Sequence, residues 1–515
     1  APAGAPAEPS RFDLNRRAAS GSDITPEQQA FIDRLTAEYS AKFPTSKART
    51  QENRRALADP RSAGGFRPEW KELVFPIIAE TSKGAYLTDP DGNRFLDLVN
   101  GFGQTAFGHA PDFVTSAVSA QLEKGFAIGP QTPLAHEVAR KFLTLTGHER
   151  VTFCNTGSEA VMAAIRLART VTGRDTVVTF NGDYHGQFDE VLVRARRAGD
   201  PVALPAVAGV PQASVSNMVV LSYGSDEALD WISKNINDIA AVLVEPVQSR
   251  NPELRPRAFV EALRDVTARG RAALILDEIV TGFRVAKGGI QELWNIRPDM
   301  ATYGKVLGGG MPIGVLAGDA RFMDALDGGH WAFGDDSRPE VPPTFFAGTF
   351  VRHPLVLAAV SAVLDHVGGE GRALYDEIAP RTQALKDRLN GVLQARGLAP
   401  AVTGFSSWLI VNLSGLDGRA GLVQALMRMD GVHVLDGYPW FFTTAHQQAD
   451  FDRVADAFAR AIDRLQTVGI LAGTGGGPVP LTPPMQEIWM AAQLGGAASD
   501  VFIESMSLRL SGALD

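Results

Sequence analysis

Short apolar runs and amphipathic stretches alternate along the middle of the chain, between about residues 109 and 365. Apolar runs of four to six residues predict buried strands, and the stretches between them carry apolar residues at helical spacing. The predicted strands are Val151–Cys154, Thr176–Phe180, Met218–Leu221, Ala241–Val244, Ala272–Leu276 and Gly314–Ala317. Helices are expected to begin at Asp226, Arg257 and about Pro354. This alternation predicts an α/β fold in which a mostly parallel, mixed sheet is flanked by helices.

The flanking segments predict a second, smaller α+β domain. Residues 77–98 have a strand–turn–strand pattern, with Asp91-Gly92-Asn93 supplying the turn. The later elements are a helix over Pro380–Arg396, a strand over Trp408–Val411, a further helix, a strand over Val432–Leu435 and a helix over Gln447–Leu465. We therefore expect a large domain over 109–365 and a small domain built from 70–108 and 366–470.

The two ends of the chain have different patterns. Residues 1–22 are rich in Ala, Pro and Gly and predict a linker. A helical segment follows over 23–69, and its first helix begins with Thr25 as N-cap and Gln28 closing a capping box. Residues 471–515 predict a second linker and the start of another domain. We expect the chain to be a piece of a longer polypeptide.

Composition and charge exclude several classes of function. The 515 residues are 45% hydrophobic and 21% charged, with a net charge of −9 and no basic stripe, so we expect no nucleic-acid partner. No apolar run is long enough to cross a bilayer, so we expect no membrane association. The single cysteine, Cys154, cannot form an internal disulfide and is predicted to be a small strand residue, which fits a cytoplasmic protein. The nine histidines have no metal-ligand spacing, and we expect no metal.

Three polar sites follow predicted strands. Asn155-Thr-Gly-Ser-Glu-Ala160 opens a helix, Asp277 ends a strand, and Lys305 lies in a glycine-rich turn. Each alone has an ordinary structural explanation, as a helix cap, a strand end or a loop lysine. Together they supply a phosphate site, a carboxylate for a pyridine nitrogen and an amine for an aldehyde. That combination predicts pyridoxal 5′-phosphate (PLP) as the cofactor.

At these residues a family resemblance is clear. Residues from about 70 to 470 resemble class III aminotransferases of fold type I, in the branch that contains glutamate-1-semialdehyde 2,1-aminomutase. The matching segments are Asn155–Ala160, Asp183–Gly186, Glu245–Val247, Asp277–Arg284, Lys305 and Ala347–Phe350. Within that branch, Glu245–Arg250, Trp331–Ser337 and Thr344–Phe350 look closest to aminotransferase domains of hybrid polyketide and non-ribosomal peptide synthetases. The tail Pro480–Trp489 resembles the start of a peptide-synthetase condensation domain.

The resemblance implies a role for each site residue. Lys305 binds the cofactor aldehyde covalently and then shuttles a proton, and Asp277 pairs with the pyridine nitrogen. The other implied cofactor contacts are Gly157 and Ser158 to the phosphate, Tyr184 and Val280 to the two ring faces, and Thr349 to the phosphate of the neighbouring subunit. Glu278 belongs either to this cofactor network or to a structural salt bridge.

Further residues have weaker implied roles. His185 is expected to be a supporting hydrogen-bond partner and Arg284 a structural residue. Ser249 and Arg250 replace the glycine and asparagine of the aminomutase, and Arg250 is either a substrate-binding group or a solvated surface residue. Trp331, Phe333, Asp335 and Asp336 are candidates for a lid over the acceptor.

The expected function is therefore that of an aminotransferase domain of a multimodular synthase. An amino-acid donor converts PLP to pyridoxamine phosphate (PMP), and the amine then passes to a β-ketoacyl thioester on an acyl carrier protein. The product is a β-aminoacyl chain, and a homodimer shares the active site. The alternatives are an aminomutase, a free-standing aminotransferase for β-amino acids or ketones, and, more remotely, a non-catalytic docking domain.

Overall fold

The computed structural model describes residues 24–60, 64–197, 199–369, 372–413, 416 and 419–471. The predicted linker over 1–22 lies outside the described residues. So does the condensation-like segment that follows residue 471.

Strands and helices alternate through the described part of the chain. Its strands are β1 (Thr81–Lys83), β2 (Tyr86–Thr88), β3 (Arg94–Asp97), β4 (Arg150–Cys154), β5 (Thr176–Phe180), β6 (Val193–Ala195), β7 (Ala203–Pro205), β8 (Met218–Leu221), β9 (Ile239–Val244), β10 (Ala273–Asp277), β11 (Met300–Tyr303), β12 (Gly314–Gly318), β13 (Val402–Phe405), β14 (Trp408–Val411), β15 (Val432–His433) and β16 (Trp440–Phe441). Its α-helices are α1 (Pro26–Lys42), α2 (Pro44–Asn53), α3 (Asn100–Gly103), α4 (Asp112–Lys124), α5 (Pro133–Thr146), α6 (Gly157–Thr172), α7 (Asp226–Asn235), α8 (Arg257–Gly270), α9 (Ile290–Trp294), α10 (Ala320–Met323), α11 (Pro354–Gly368), α12 (Ala379–Gln394), α13 (Leu422–Met429) and α14 (Gln448–Thr467). The 3-10 helices are Pro68–Leu73, Asp189–Val191, Gln212–Val215, Lys305–Gly308 and Asp324–Leu326, and Leu374–Ile378 forms a π-helical turn.

The largest sheet has seven strands in the order β4-β12-β11-β10-β9-β5-β8. Strand β12 runs antiparallel to both neighbours, and the remaining strand pairs are parallel. Every residue of β9 and β10 is buried, as continuous apolar runs require when helices cover both faces of a sheet. Ala241 and Leu243 belong to the core shared with α6, while Val242 and Val244 belong to the core shared with α8. The predicted fold class is confirmed.

Two smaller sheets are formed by the segments on either side of this region. One has the order β1-β2-β3-β15, in which β15 lies parallel to β3, and the other has the order β13-β14-β16. The predicted strand over Val432–Leu435 ends earlier, at His433, because the next carbonyl, that of Val434, accepts from Arg428 Nη2 at 2.8 Å. Strand β11 and strands β13 and β16 were not among the sequence predictions.

Helix α1 is held by both its cap and its apolar stripe. Thr25 Oγ1 accepts from the Gln28 amide at 3.2 Å, and Gln28 Oε1 accepts from the Thr25 amide at 3.1 Å, which confirms the capping box. Phe31, Ile32, Leu35 and Tyr39 form a buried stripe on the helix, and the Tyr39 hydroxyl accepts from Arg428 Nη1 of α13 at 3.1 Å. The helix is therefore packed against the segment that contains β15.

Candidate active site

Five polar segments meet where parallel strands end. They follow β4, β5, β9, β10 and β11 and span residues 155–158, 183–187, 245–250, 277–280 and 304–305. In open α/β sheets, ligands bind in the crevice outside the carboxyl ends of the strands. The topology therefore brings the sequence motifs to one edge of the sheet.

The Ile279 side chain joins three of these segments. A Cβ atom at Gly157 would lie 2.7 Å from Ile279 Cδ1, and a Cβ atom at Gly304 would lie 3.3 Å from the same methyl group. The opening of α6 and the turn before Lys305 thus pack against a residue that follows Asp277 by two positions. Glycine is needed at Gly157 because a side chain there would displace Ile279.

The N-terminus of α6 is held by a capping box. Thr156 Oγ1 accepts from the Glu159 amide at 3.2 Å, and Glu159 Oε2 accepts from the Thr156 amide at 3.3 Å. Ser158 Oγ accepts from the Gln187 amide at 3.3 Å, so this turn contacts the loop after β5. The first amides of a helix have no partner within it, and together with the helix dipole they favour an anion.

Asp277 is buried and bound on both oxygens. His185 Nδ1 lies 2.7 Å from Asp277 Oδ2, and Oδ1 accepts from the Ile279 amide at 3.1 Å and from Thr302 Oγ1 at 3.2 Å. His185 Nε2 lies 3.2 Å from Asp183 Oδ2. Burial opposes a charge on the imidazole, but hydrogen bonds to Asp183 and Asp277 outweigh it and raise the pKa of His185 to about 10. The imidazolium thus pairs with the Asp277 carboxylate and fixes its orientation.

Lys305 lies on strained backbone beside this carboxylate. Its φ of 34° is in the left-handed region, which non-glycine residues seldom adopt outside functional sites. Burial lowers the pKa of Lys305, the charges of Asp277 and Glu245 oppose that effect, and the positive charge of Arg284 adds to it. A lysine amine with a lowered pKa is both a nucleophile and a base near neutral pH.

Arg284 is the cation that acts on this lysine. It is fully buried, with Nη1 donating to Ser407 Oγ at 2.9 Å and Nη2 donating to the Gly103 carbonyl. Burial lowers its pKa to about 9. Its hydrogen bonds tie the turn after β10 to α3 and to the small sheet at β14. The structural role expected from the sequence agrees with these contacts, and the electrostatic effect on Lys305 was not foreseen.

Two further buried carboxylates complete the site, and the sequence prediction assigned neither a role. Glu245 Oε2 accepts from the Tyr184 amide at 3.2 Å, and Asp183 Oδ1 accepts from Gln248 Nε2 at 2.8 Å. Burial, and then the charges of Asp183 and Asp277, raise the pKa of Glu245 to about 7. The sequence did contain a signal for both residues. Glu245 and Asp183 each lie within three positions of the end of an apolar strand.

Other predicted site residues lie near this group or face away from it. The Tyr184 ring is 42% exposed, and the Arg250 guanidinium lies 5.7 Å from its centroid. Val280 is buried two residues after Glu278. Glu278 Oε1 accepts from the Gln291 amide at 2.9 Å, so its contacts favour the structural alternative. Burial raises its pKa to about 7.

The residues predicted for the lid and the neighbouring subunit are at the surface. Thr349 is exposed, and Phe333 is 92% exposed while its ring packs edge-on against Trp331 at 5.0 Å. Asp335 Oδ1 accepts from the Ser337 amide at 2.9 Å, which organises the turn after Phe333.

The chemistry of the site fits pyridoxal phosphate. A buried carboxylate suits a protonated ring nitrogen, and an amine with a lowered pKa suits an aldehyde. The capped helix opening at Gly157 and Ser158 suits a phosphate. Since Ile279 contacts both glycine segments, all three groups lie around one side chain.

The comparisons with known proteins agree with this geometry. The fold and the site define an aminotransferase of fold type I. The Aminotransferase class-III family matches residues 68–404, which is more than half of the chain, and the chain belongs to that family. A glutamate-1-semialdehyde 2,1-aminomutase from Thermomicrobium roseum is 34% identical over 404 residues, covering 75% of this chain and 91% of that protein.

Solved structures show the same fold. A transaminase solved with PLP bound has a TM-score of 0.73 and 25% identity, covering 83% of this chain and 99% of that one. An omega-transaminase from Sphaerobacter thermophilus has a TM-score of 0.72 and 28% identity, covering 82% of this chain and 98% of that one.

The described residues include neither a membrane-spanning helix nor a metal-binding cluster. Across these ranges, no helix combines the length and apolarity that crossing a bilayer requires. In the same part of the chain, no three His, Cys, Asp or Glu side chains are grouped so that they could hold a metal ion.

Proposed function

We propose that this chain is a PLP-dependent aminotransferase that moves an amine from an amino-acid donor to a carrier-bound β-ketoacyl thioester. The observation that carries the amino-transfer chemistry is the convergence of Lys305, Asp277 and the α6 opening around Ile279. Bound PLP supplies an aldehyde carbon and a ring that withdraws electrons from the carbon being deprotonated.

The residues of the chain hold that cofactor and move the proton. Asp277 would keep the proton on the ring nitrogen, and His185 holds Asp277 in place through the 2.7 Å contact between Nδ1 and Oδ2. Gly157 and Ser158 present amides to the phosphate at the start of α6. Lys305 would hold the cofactor at its aldehyde and, when free, would take a proton from one carbon and deliver it to another. The lowered pKa of Lys305 favours the amine form that this work needs.

Arg250 is the proposed contact for the donor or the acceptor. Its guanidinium lies over the exposed Tyr184 ring, so it stands at the entrance to the site. A guanidinium binds a carboxylate or a phosphate through two parallel hydrogen bonds. The group bound by Arg250 would therefore be either the carboxylate of the donor or a phosphate of the carrier's prosthetic arm.

The choice of acceptor rests on the resemblance of three segments to synthetase aminotransferase domains and on Arg250. An aminomutase is the second candidate, and the names of the relatives favour it. Against it stands the replacement of a glycine–asparagine pair by Ser249 and Arg250. The neighbouring synthetase domains remain part of the proposal, because the segment that suggests them lies outside the described residues.

We also propose a homodimer with a shared active site. Thr349 lies at the surface next to Phe350, which is 60% exposed, and Phe345 in the same segment is 78% exposed. Exposed aromatic clusters of this kind mark protein interfaces. Thr349 would then contact the cofactor phosphate of the second subunit, and Phe333 would be covered by that subunit.

Mass spectrometry distinguishes the candidate reactions. Purified protein loaded with PLP is incubated with amino-acid donors and, separately, with a β-ketoacyl carrier protein or with glutamate 1-semialdehyde. A gain of an amine on the carrier-bound chain supports the proposal. Conversion of glutamate 1-semialdehyde to 5-aminolevulinate, without amination of the carrier, supports the aminomutase instead. Failure to bind PLP at all would leave only a non-catalytic docking domain.

A further inference from the structure

We propose that a large apolar cavity beside the site binds the acyl tail of the acceptor and selects for its length. This inference rests on the proposed function. The cavity has a volume of about 710 Å³, and its apolar walls include Trp70, Phe75, Ile77, Leu422, Ala425 and Leu435. We call it the tail cavity.

The tail cavity extends to the candidate active site. Arg250 lines it, and the same guanidinium lies 5.7 Å from the centroid of the Tyr184 ring. Tyr184 immediately precedes His185, the partner of Asp277. One end of the cavity therefore lies beside the loop that carries Tyr184 and His185.

The α3 turn forms a second connection. Phe102 lines the tail cavity and packs against Tyr438 with ring centroids 5.2 Å apart. Phe102 has a φ of 60°, a strained conformation for a bulky residue, and the adjacent Gly103 carbonyl accepts from Arg284. Arg284 in turn acts electrostatically on Lys305. The residue next to Phe102 in the cavity wall therefore contacts a side chain that acts on the reacting lysine.

The walls suit a hydrocarbon chain better than a short dicarboxylic substrate. Ligand cavities of 300–1,000 Å³ are typical of molecules much larger than a five-carbon amino acid. The charged lining residues are Asp59, Arg250, Arg428 and Asp436, and Arg428 donates to the Tyr39 hydroxyl and to the Val434 carbonyl. Arg250, at the active-site end, remains placed for a polar group of the substrate. An acyl chain with its keto group near Lys305 satisfies both features.

Ala425 is the residue best placed to test the cavity. It lies on α13, its side chain lines the cavity, and its small size leaves space that a larger side chain would fill. Replacing alanine by phenylalanine there shortens the space for a tail and leaves Lys305, Asp277 and Arg250 unchanged. Ala37 on α1 is exposed, and Ala37→Phe is the matched control.

The test compares β-ketobutanoyl, β-ketohexanoyl and β-ketodecanoyl thioesters of N-acetylcysteamine as acceptors. Each methylene that enters an apolar cavity is worth about 0.8 kcal/mol, so kcat/KM should rise about fourfold per added methylene until the cavity is full. Ala425→Phe should reduce the decanoyl-to-butanoyl ratio at least tenfold, and Ala37→Phe should keep the wild-type ratio. A wild-type ratio near one, or a ratio unchanged by Ala425→Phe, would overturn the inference.

A binding measurement separates this inference from the proposed function. Decanoyl-N-acetylcysteamine, which has no keto group, should change the fluorescence of Trp70, and the change should be absent in Trp70→Phe. If β-ketoacyl thioesters are not aminated but this probe binds, the proposed acceptor is wrong and the apolar cavity stands. If amination proceeds but the probe neither binds nor competes, the tail lies elsewhere. Ala425→Leu, a smaller change, replaces Ala425→Phe if that variant does not fold.

Discussion

Replacing His185 by glutamine should destabilise the protein in a pH-dependent way. The imidazole lies between Asp277 and Asp183 at 2.7 and 3.2 Å, and all three side chains are buried. A rise in pKa from 6.5 to about 10 corresponds to an upper limit of about 5 kcal/mol. Removing one partner of a buried charge pair costs about 3–5 kcal/mol. For a chain of this length, that is a decrease in melting temperature of about 3–5 °C.

The sign of the pH dependence follows from the raised pKa. The folded protein holds the His185 proton more tightly than the unfolded chain, so the contribution is complete below about pH 6.5 and is lost as the pH rises through about 10. The difference in melting temperature between the wild type and His185→Gln should therefore be largest near pH 6 and shrink towards pH 10. Calorimetry of the cofactor-free proteins measures it.

His148 supplies the matched control. It is also buried, with Nε2 3.0 Å from the Tyr303 hydroxyl, but burial and the charge of Arg297 lower its pKa to about 4. Its contribution is complete above about pH 6.5, so the cost of His148→Gln should be constant between pH 7 and 10. Two results would refute the assignment of a buried imidazolium. One is a loss of stability in His185→Gln that is equally constant over that pH range, and the other is a loss below about 1 kcal/mol.

Three further outcomes are expected. Gly186→Ala should weaken PLP binding and lower the free energy of unfolding by about 1–3 kcal/mol. The reason is that Gly186 has a φ of 114° and that a Cβ atom there would collide with Ser158 Oγ. Equilibrium dialysis measures the binding, and urea unfolding measures the stability. Gly391→Ala, within α12 where a methyl group meets no neighbour, should instead raise the free energy of unfolding by about 0.5–1 kcal/mol. Cys154, whose pKa burial raises to about 12, should resist iodoacetamide in the folded protein and react in urea, as intact-mass measurements would show.

The sequence predicted elements whose signals are local. The bounds of β5, β8 and β14, and the first residues of α7, α8 and α11, agree with the predictions because each begins or ends at a clear change in apolar pattern. Strand β11 was missed because Met300–Tyr303 is a run of only four residues in which Thr302 interrupts the apolar pattern, between a proline-containing loop and a glycine-rich turn. Its identity as a strand depends on pairing with β10 and β12.

The contacts that shape the site were beyond the sequence because they are long-range. The motifs indicated that Lys305 and Asp277 each follow a strand of the sheet, but not that these strands are neighbours or that Ile279 fills the space between Gly157 and Gly304. Burial of Asp183 and Glu245 around His185 depends on the packing of three loops, and no local pattern reports it. The same holds for the tail cavity, whose walls come from segments more than 300 residues apart in the chain.

The central claim is that Lys305 is the residue that binds the cofactor. Protein incubated with PLP, reduced with borohydride and digested should yield one pyridoxyl-labelled peptide, with the label on Lys305, and Lys305→Ala should carry no label. An amino-acid donor that the enzyme accepts, added before the reduction, should remove the label from the wild type as the cofactor becomes PMP. A stoichiometric label on a different lysine, or a label retained in Lys305→Ala, would contradict the account.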